Sequence, residues 1–85
     1  MFKHPSVYIM VNDKDGTLHI GAASNLTEEL RKQRGNEPEK LVWFELHECL
    51  GTAGEHERIL KESDADSIRK MIEQTNPNWK DLYKE

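Results

Sequence analysis

The chain opens with an apolar stretch, a polar break and a second, alternating stretch. Residues 6–12, Ser-Val-Tyr-Ile-Met-Val-Asn, are β-branched and apolar, the composition of a strand. Asp13-Lys14-Asp15-Gly16 supplies turn chemistry, with a glycine able to take positive φ, and Thr17 to Ala22 alternates as a returning arm. The pattern predicts a hairpin. If the four-residue loop pairs Asn12 with Thr17, Met10 faces His19 and Tyr8 faces Gly21. Tyr8 and His19 then share one side of the sheet as diagonal neighbours, while Val7, Ile9, Leu18 and Ile20 share the other.

Beyond the hairpin the period lengthens. Ser24 or Asn25 caps a short helix with Glu28 in the reciprocal position, Leu26 and Leu30 form its buried pair, and Gly35 ends it. Asn36 to Glu39 reads as a loop. Lys40 to His47 reads as a third strand, apolar enough to be the central one, closed by Leu50 and Gly51. Thr52 starts a second helix through Lys61, whose inner face by spacing is Ala53, Glu57 and Leu60. Ser63 with Asp66 resembles a capping box ahead of a third helix with an apolar stripe of Ala65, Ile68, Met71 and Ile72. Asn76 then caps a last turn with Pro77 at its first position, and Trp79, Leu82 and Tyr83 dock that turn onto the core.

Composition narrows the class. Eighty-five residues, 35% of them hydrophobic, build one core and one domain spanning 1–85. A single cysteine, Cys49, admits no intrachain disulfide, and the N-terminus lacks a charged-then-apolar leader, so a reduced, cytoplasmic protein is expected. No apolar run nears the roughly 20 residues of a membrane span, so no membrane partner is expected. Sixteen acidic residues against 12 basic ones leave a formal charge of −4, which disfavours DNA as a partner without forbidding it and leaves a protein partner open. Arg31, Lys32 and Arg34 are either a local basic contact or a solvated helix face.

Several motifs in order resemble one family. Ser6-Val7-Tyr8, His19-Ile20-Gly21, Ser24-Asn25-Leu26, the strand Leu41 to Glu48 and the terminus Asn76-Pro77-Asn78-Trp79-Lys80-Asp81-Leu82-Tyr83 resemble the GIY-YIG endonucleases, closest to their small single-domain bacterial branch. The likeness runs from about Pro5 to Tyr83. It implies an α/β fold, a three-stranded antiparallel sheet flanked by helices in the order β-β-α-β-α-α. It also implies a catalytic set that this chain keeps only in part. The first-motif tyrosine matches Tyr8 and the metal-binding glutamate of the second helix matches Glu57. The second-motif tyrosine falls on His19, the first-helix arginine on Glu29, a following histidine on Gln33 and the opening glycine on Ser6.

Phosphodiester hydrolysis explains why such residues are needed. Mg²⁺ or Mn²⁺ would want a carboxylate ligand, here Glu57, and would polarise a phosphoryl oxygen. Tyr8 would relay the proton of the attacking water. A guanidinium stabilises the transition-state charge, and losing one such donor costs roughly 3 kcal/mol. Glu29 goes further. At an effective dielectric near 20 and about 4 Å, the Coulomb interaction with phosphate turns from about −4 to about +4 kcal/mol before screening. Lys61 is moreover followed by Glu62-Ser63-Asp64-Ala65-Asp66, where the branch carries basic residues.

The resemblance thus implies an impaired nuclease-superfamily domain acting as a binding or regulatory module. The alternative is an active, metal-dependent, structure-specific DNA endonuclease in which His19 replaces a tyrosine and Arg31 or Arg58 substitutes for the arginine. Each residue also has a packing reading. Tyr8 fits a sheet face with its hydroxyl bonded, His19 a half-buried strand position, and Glu29 with Gln33 a solvated face. Glu57, between Ala53 and Leu60, needs a cleft, a cation or a basic partner such as Lys61 or Arg58. His47, Cys49 and His56 lack a Cys-x-x-Cys or His-x-x-x-His pairing, so their spacing predicts no zinc site.

Overall fold

A computed structural model describes residues 4–34 and 39–83. The expected end of the first helix at Gly35 and the loop over residues 36–38 lie outside the described residues. The elements run β1 (Ser6–Asn12), β2 (Leu18–Ala23), α1 (Leu26–Arg34), β3 (Glu39–Leu46), α2 (Leu50–Lys61) and α3 (Ala65–Thr75). The sheet is antiparallel throughout, in the order β2-β1-β3.

The hairpin register is the expected one. Tyr8 pairs with Gly21 and Met10 with His19, and Asn12 donates to the Thr17 carbonyl at 2.9 Å. Gly16 takes φ 75°, the left-handed conformation that glycine enters without steric cost. The Asn12 and Asp15 side chains accept from the Lys14 and Thr17 amides and stiffen the loop.

The central strand is β1, which corrects the assignment of that place to β3. The reason lies in the two faces of each strand. Ser6 to Val11 are all buried, whereas β3 ends on exposed Glu45 and Leu46. The outer edge of β3 meets the C-terminal segment instead: Leu82 donates to the Leu41 carbonyl at 2.7 Å, and the Asp81 carboxylate accepts from the Leu41 amide at 3.2 Å. Edge groups that would otherwise face solvent are thereby paired.

Two cores sandwich the sheet. Val7, Ile9 and Val11 pack with Val42, Trp43, Leu60 of α2 and Ile68 and Ile72 of α3. Tyr8, Met10 and Leu41 pack with Leu26 and Leu30 of α1 and with Tyr83. The result is three layers, α1, sheet, then α2 with α3. Between Ile9 and Met10 the β1–β3 register slips, and Val42 has no cross-strand partner. This bulge lets consecutive Val42 and Trp43 both enter one core.

The helix starts also differ from expectation. α2 begins at Leu50, not Thr52, so Leu50 and Gly51 belong to the helix rather than closing the strand; Cys49 is its N-cap and makes no side-chain cap bond. Thr52 donates back to the Cys49 carbonyl at 3.0 Å. Asp64, rather than Ser63, caps α3, accepting from the Ser67 amide at 2.7 Å. Asn76 ends α3 instead of opening another helix, and Trp79 follows at φ 54°. Asn25 caps α1 as expected, accepting from Glu28 at 3.2 Å. No helix of the described residues is long and apolar enough to cross a membrane.

Candidate functional site

The four residues of the nuclease pattern are distributed over both sides of the sheet. Tyr8 is 3% exposed and sits in the α1-side core. Its ring fills the space over Gly21, where a Cβ would stand 2.5 Å from the hydroxyl oxygen and 2.6 Å from Cζ. His19 is exposed on β2 and lines a groove of about 530 Å³ with Asn12, Leu18, Glu39, Leu60 and Lys61. Glu29 lines a separate groove of about 290 Å³ with Ser24, Asn25, Glu28 and Lys32. Glu57 rides on α2, whose Leu60 belongs to the opposite core, and its carboxylate is 3.0 Å from the Lys61 ammonium.

The Lys61 contact resolves how a carboxylate tolerates the inner stripe of α2. Ala53 and Leu60 are buried, while the Glu57 side chain keeps 26% of its surface and a cationic partner one turn away. The α1 groove is acidic on balance. Glu28 and Glu29 stand in the first turn of α1, where the helix dipole favours negative charge, and Lys32 is the cation beside them. No arginine lines either groove among the described residues. Arg58 is committed elsewhere, paired with Glu55 and Glu62 on the solvent side of α2. That pairing, led by the hydrogen bond from Arg58, holds the Glu55 carboxyl below its usual range.

A second constellation joins the end of β3 to the start of α2. His47 Nε2 lies 3.0 Å from Glu45 Oε1, and His56 Nδ1 lies 2.9 Å from the same oxygen. The two ring nitrogens are 3.4 Å apart. Thr52 Oγ1 is 3.1 Å from His47 Nδ1, and the Trp43 ring meets His56 edge-on at 5.9 Å. Next to this cluster, the hydrogen bond from the Thr52 amide is the leading cause that holds the exposed Cys49 thiol below the ordinary thiol range.

Local ligand spacing in the sequence does not reveal this cluster, because its three residues come from the end of β3 and from α2. Glu45 and His47 are two apart on an extended segment, so they project to one side, and α2 folds back to place His56 against them. The available signal was the i, i+2 pair followed by a histidine one helical element later. Cys49, grouped with the two histidines on spacing, faces Thr52 at 3.8 Å instead.

Compared with protein-family models, with curated proteins and with solved structures, the chain matches none.

Proposed function

We propose that this chain is a GIY-YIG-type domain of the nuclease superfamily in which ordinary turnover is lost and the surface serves binding or regulation. The reading is supported above all by Glu29. It lines the α1 groove beside Glu28, at the position where the motif resemblance calls for an arginine. A phosphate entering there meets two carboxylates and one lysine, and Coulomb repulsion replaces transition-state stabilisation. Two further features agree with it. Glu57 already has Lys61 as its counter-charge, so a divalent ion would have to displace an ammonium. Arg58, the nearest substitute arginine on α2, is held by Glu55 and Glu62. The acidic balance of the chain favours a protein partner with basic groups over nucleic acid.

The test is incubation with branched and single-stranded DNA in Mg²⁺ or Mn²⁺. The expected result is no cleavage by the natural sequence, and measurable cleavage after Glu29→Arg combined with Glu62→Arg. Cleavage by the natural sequence that disappears in Glu57→Ala would overturn the proposal in favour of an active endonuclease.

A further inference from the structure

Glu45, His47 and His56 are none of the residues matched to the nuclease catalytic set, and their chemistry stands apart from that reading. The ring state of His47 follows from its neighbours. The Thr52 hydroxyl spends its one hydrogen on the Cys49 carbonyl at 3.0 Å, so towards His47 it can only accept. His47 Nδ1, 3.1 Å away, therefore carries the N–H. In the neutral ring Nε2 is then a bare lone pair, and it lies 3.0 Å from Glu45 Oε1, itself an acceptor.

A hydrogen on His56 Nδ1 satisfies the 2.9 Å contact with Glu45 but leaves the His47–Glu45 contact unrelieved. That contact is met either by a second ring hydrogen, on Nε2, or by a cation held between the two atoms. A proton serves two atoms at most in one line; here three donor atoms converge, with the nitrogens 3.4 Å apart. A cation about 2 Å from all three stands about 1 Å out of their plane, a normal metal–ligand length for imidazole and carboxylate.

We propose that Glu45, His47 and His56 bind one divalent transition-metal ion of the zinc class, with three protein ligands and a remaining position open to water. The donor set selects the metal. Two imidazole nitrogens suit Zn²⁺ and its neighbours, whereas Mg²⁺ and Ca²⁺ prefer all-oxygen shells. Outer contacts hold the ligands in place: Thr52 orients His47, the Trp43 edge sits against His56, and the His47 amide donates to the Pro5 carbonyl at 2.7 Å. The Glu45 side chain is 48% exposed against 16% for His47, so an ion enters from the Glu45 side. Once bound, it ties the end of β3 to the first turns of α2.

Titration of the full chain with Zn²⁺, followed by calorimetry and by the visible spectrum of Co²⁺, tests this. One ion per chain is expected, with a four-coordinate Co²⁺ spectrum free of thiolate charge transfer and a rise in Tm on loading. His47→Gln and His56→Gln should each weaken binding at least tenfold. Thr52→Val should weaken it about tenfold and Thr52→Ser should restore it, a pair that leaves the ligands themselves untouched. Undiminished binding in both histidine variants, loss of binding in Cys49→Ser, or equal competition by Mg²⁺ would each overturn the proposal. So would equal affinity in Thr52→Val and Thr52→Ser. DNA cleavage bears on none of these readouts, so the failure of either proposal is distinguishable from the failure of the other.

Discussion

The Asn76 side-chain amide donates to the Val42 carbonyl at 3.1 Å, across 34 residues of chain. Val42 is the bulged residue of β3, and Asn76 is only 6% exposed. The same amide donates to the Lys80 carbonyl at 2.9 Å, and its oxygen accepts from the Lys80 amide at 3.0 Å. One side chain thus satisfies the bulge and fixes the turn that delivers Leu82 and Tyr83 to the sheet edge. Asn76→Ala strands the buried Val42 carbonyl and breaks both part-buried bonds to Lys80, and should cost about 2–3 kcal/mol. Urea unfolding should show a lower midpoint with an unchanged slope; a change below about 0.5 kcal/mol would show that water replaces these bonds at little cost.

Gly21 and Tyr8 make the second test. Alanine in a strand normally gains roughly 0.5–1 kcal/mol over glycine through the unfolded chain. Here its Cβ would lie 2.5 Å from the Tyr8 hydroxyl, and the ring is buried and cannot swing out. Overpacking outweighs the gain, so Gly21→Ala should be destabilising by about 1–3 kcal/mol. Tyr8→Phe in that background removes the nearest atom but leaves Cζ at 2.6 Å, so relief should be partial. A double-mutant cycle on thermal or urea denaturation reads the coupling, and strict additivity would mean that the two residues do not touch in solution.

The hairpin was legible in the sequence because its loop fixes register and its side chains alternate. Helix membership was legible too, since Leu26 with Leu30 and Ile68 with Ile72 follow helical spacing. Strand order was not. β1 and β3 are both apolar runs, and choosing between them requires knowing that the segment from Lys80 to Tyr83 returns to cover the edge of β3. Helix starts shifted for a related reason. Thr52 and Ser63 are good capping residues by type, yet the backbone enters α2 at Cys49 and α3 at Asp64. Of the candidate site, residue types were readable and their convergence was not. Tyr8 matches the tyrosine of the resembling motif and is also a core residue, whereas Glu45, His47 and His56 converge only through the packing of α2 against β3.

Asp64 gives a pH test with a definite sign. Its carboxylate accepts from the Ser67 amide and hydroxyl, and these bonds, the amide first, lower its pKa in the folded chain. A group with a depressed folded pKa contributes stability above its unfolded value, and that contribution disappears as pH falls through the folded value. The window therefore opens near pH 4 and extends downward. Asp64→Asn keeps a capping oxygen and removes the titration. Across that window the natural sequence should lose stability relative to Asp64→Asn, and above it the difference should be constant. Parallel curves at every pH would show that the cap does not hold the charged form.

Glu57 and Lys61 decide whether α2 retains a metal ligand of the nuclease kind. Their contact is 3.0 Å with Lys61 more than half exposed, so breaking it should change stability by no more than about 1 kcal/mol. Its effect on divalent ions should be clearer. With Lys61 in place, the carboxylate is already neutralised, and Glu57→Gln should leave Mn²⁺ affinity unchanged. Lys61→Ala removes the competing ammonium, so Mn²⁺ should bind more tightly there, and adding Glu57→Gln should return affinity to the starting value. Free Mn²⁺ counted by electron paramagnetic resonance measures all four proteins under one condition. Loss of Mn²⁺ binding on Glu57→Gln alone would mean that the ion outcompetes Lys61, and the active-endonuclease alternative would regain its metal.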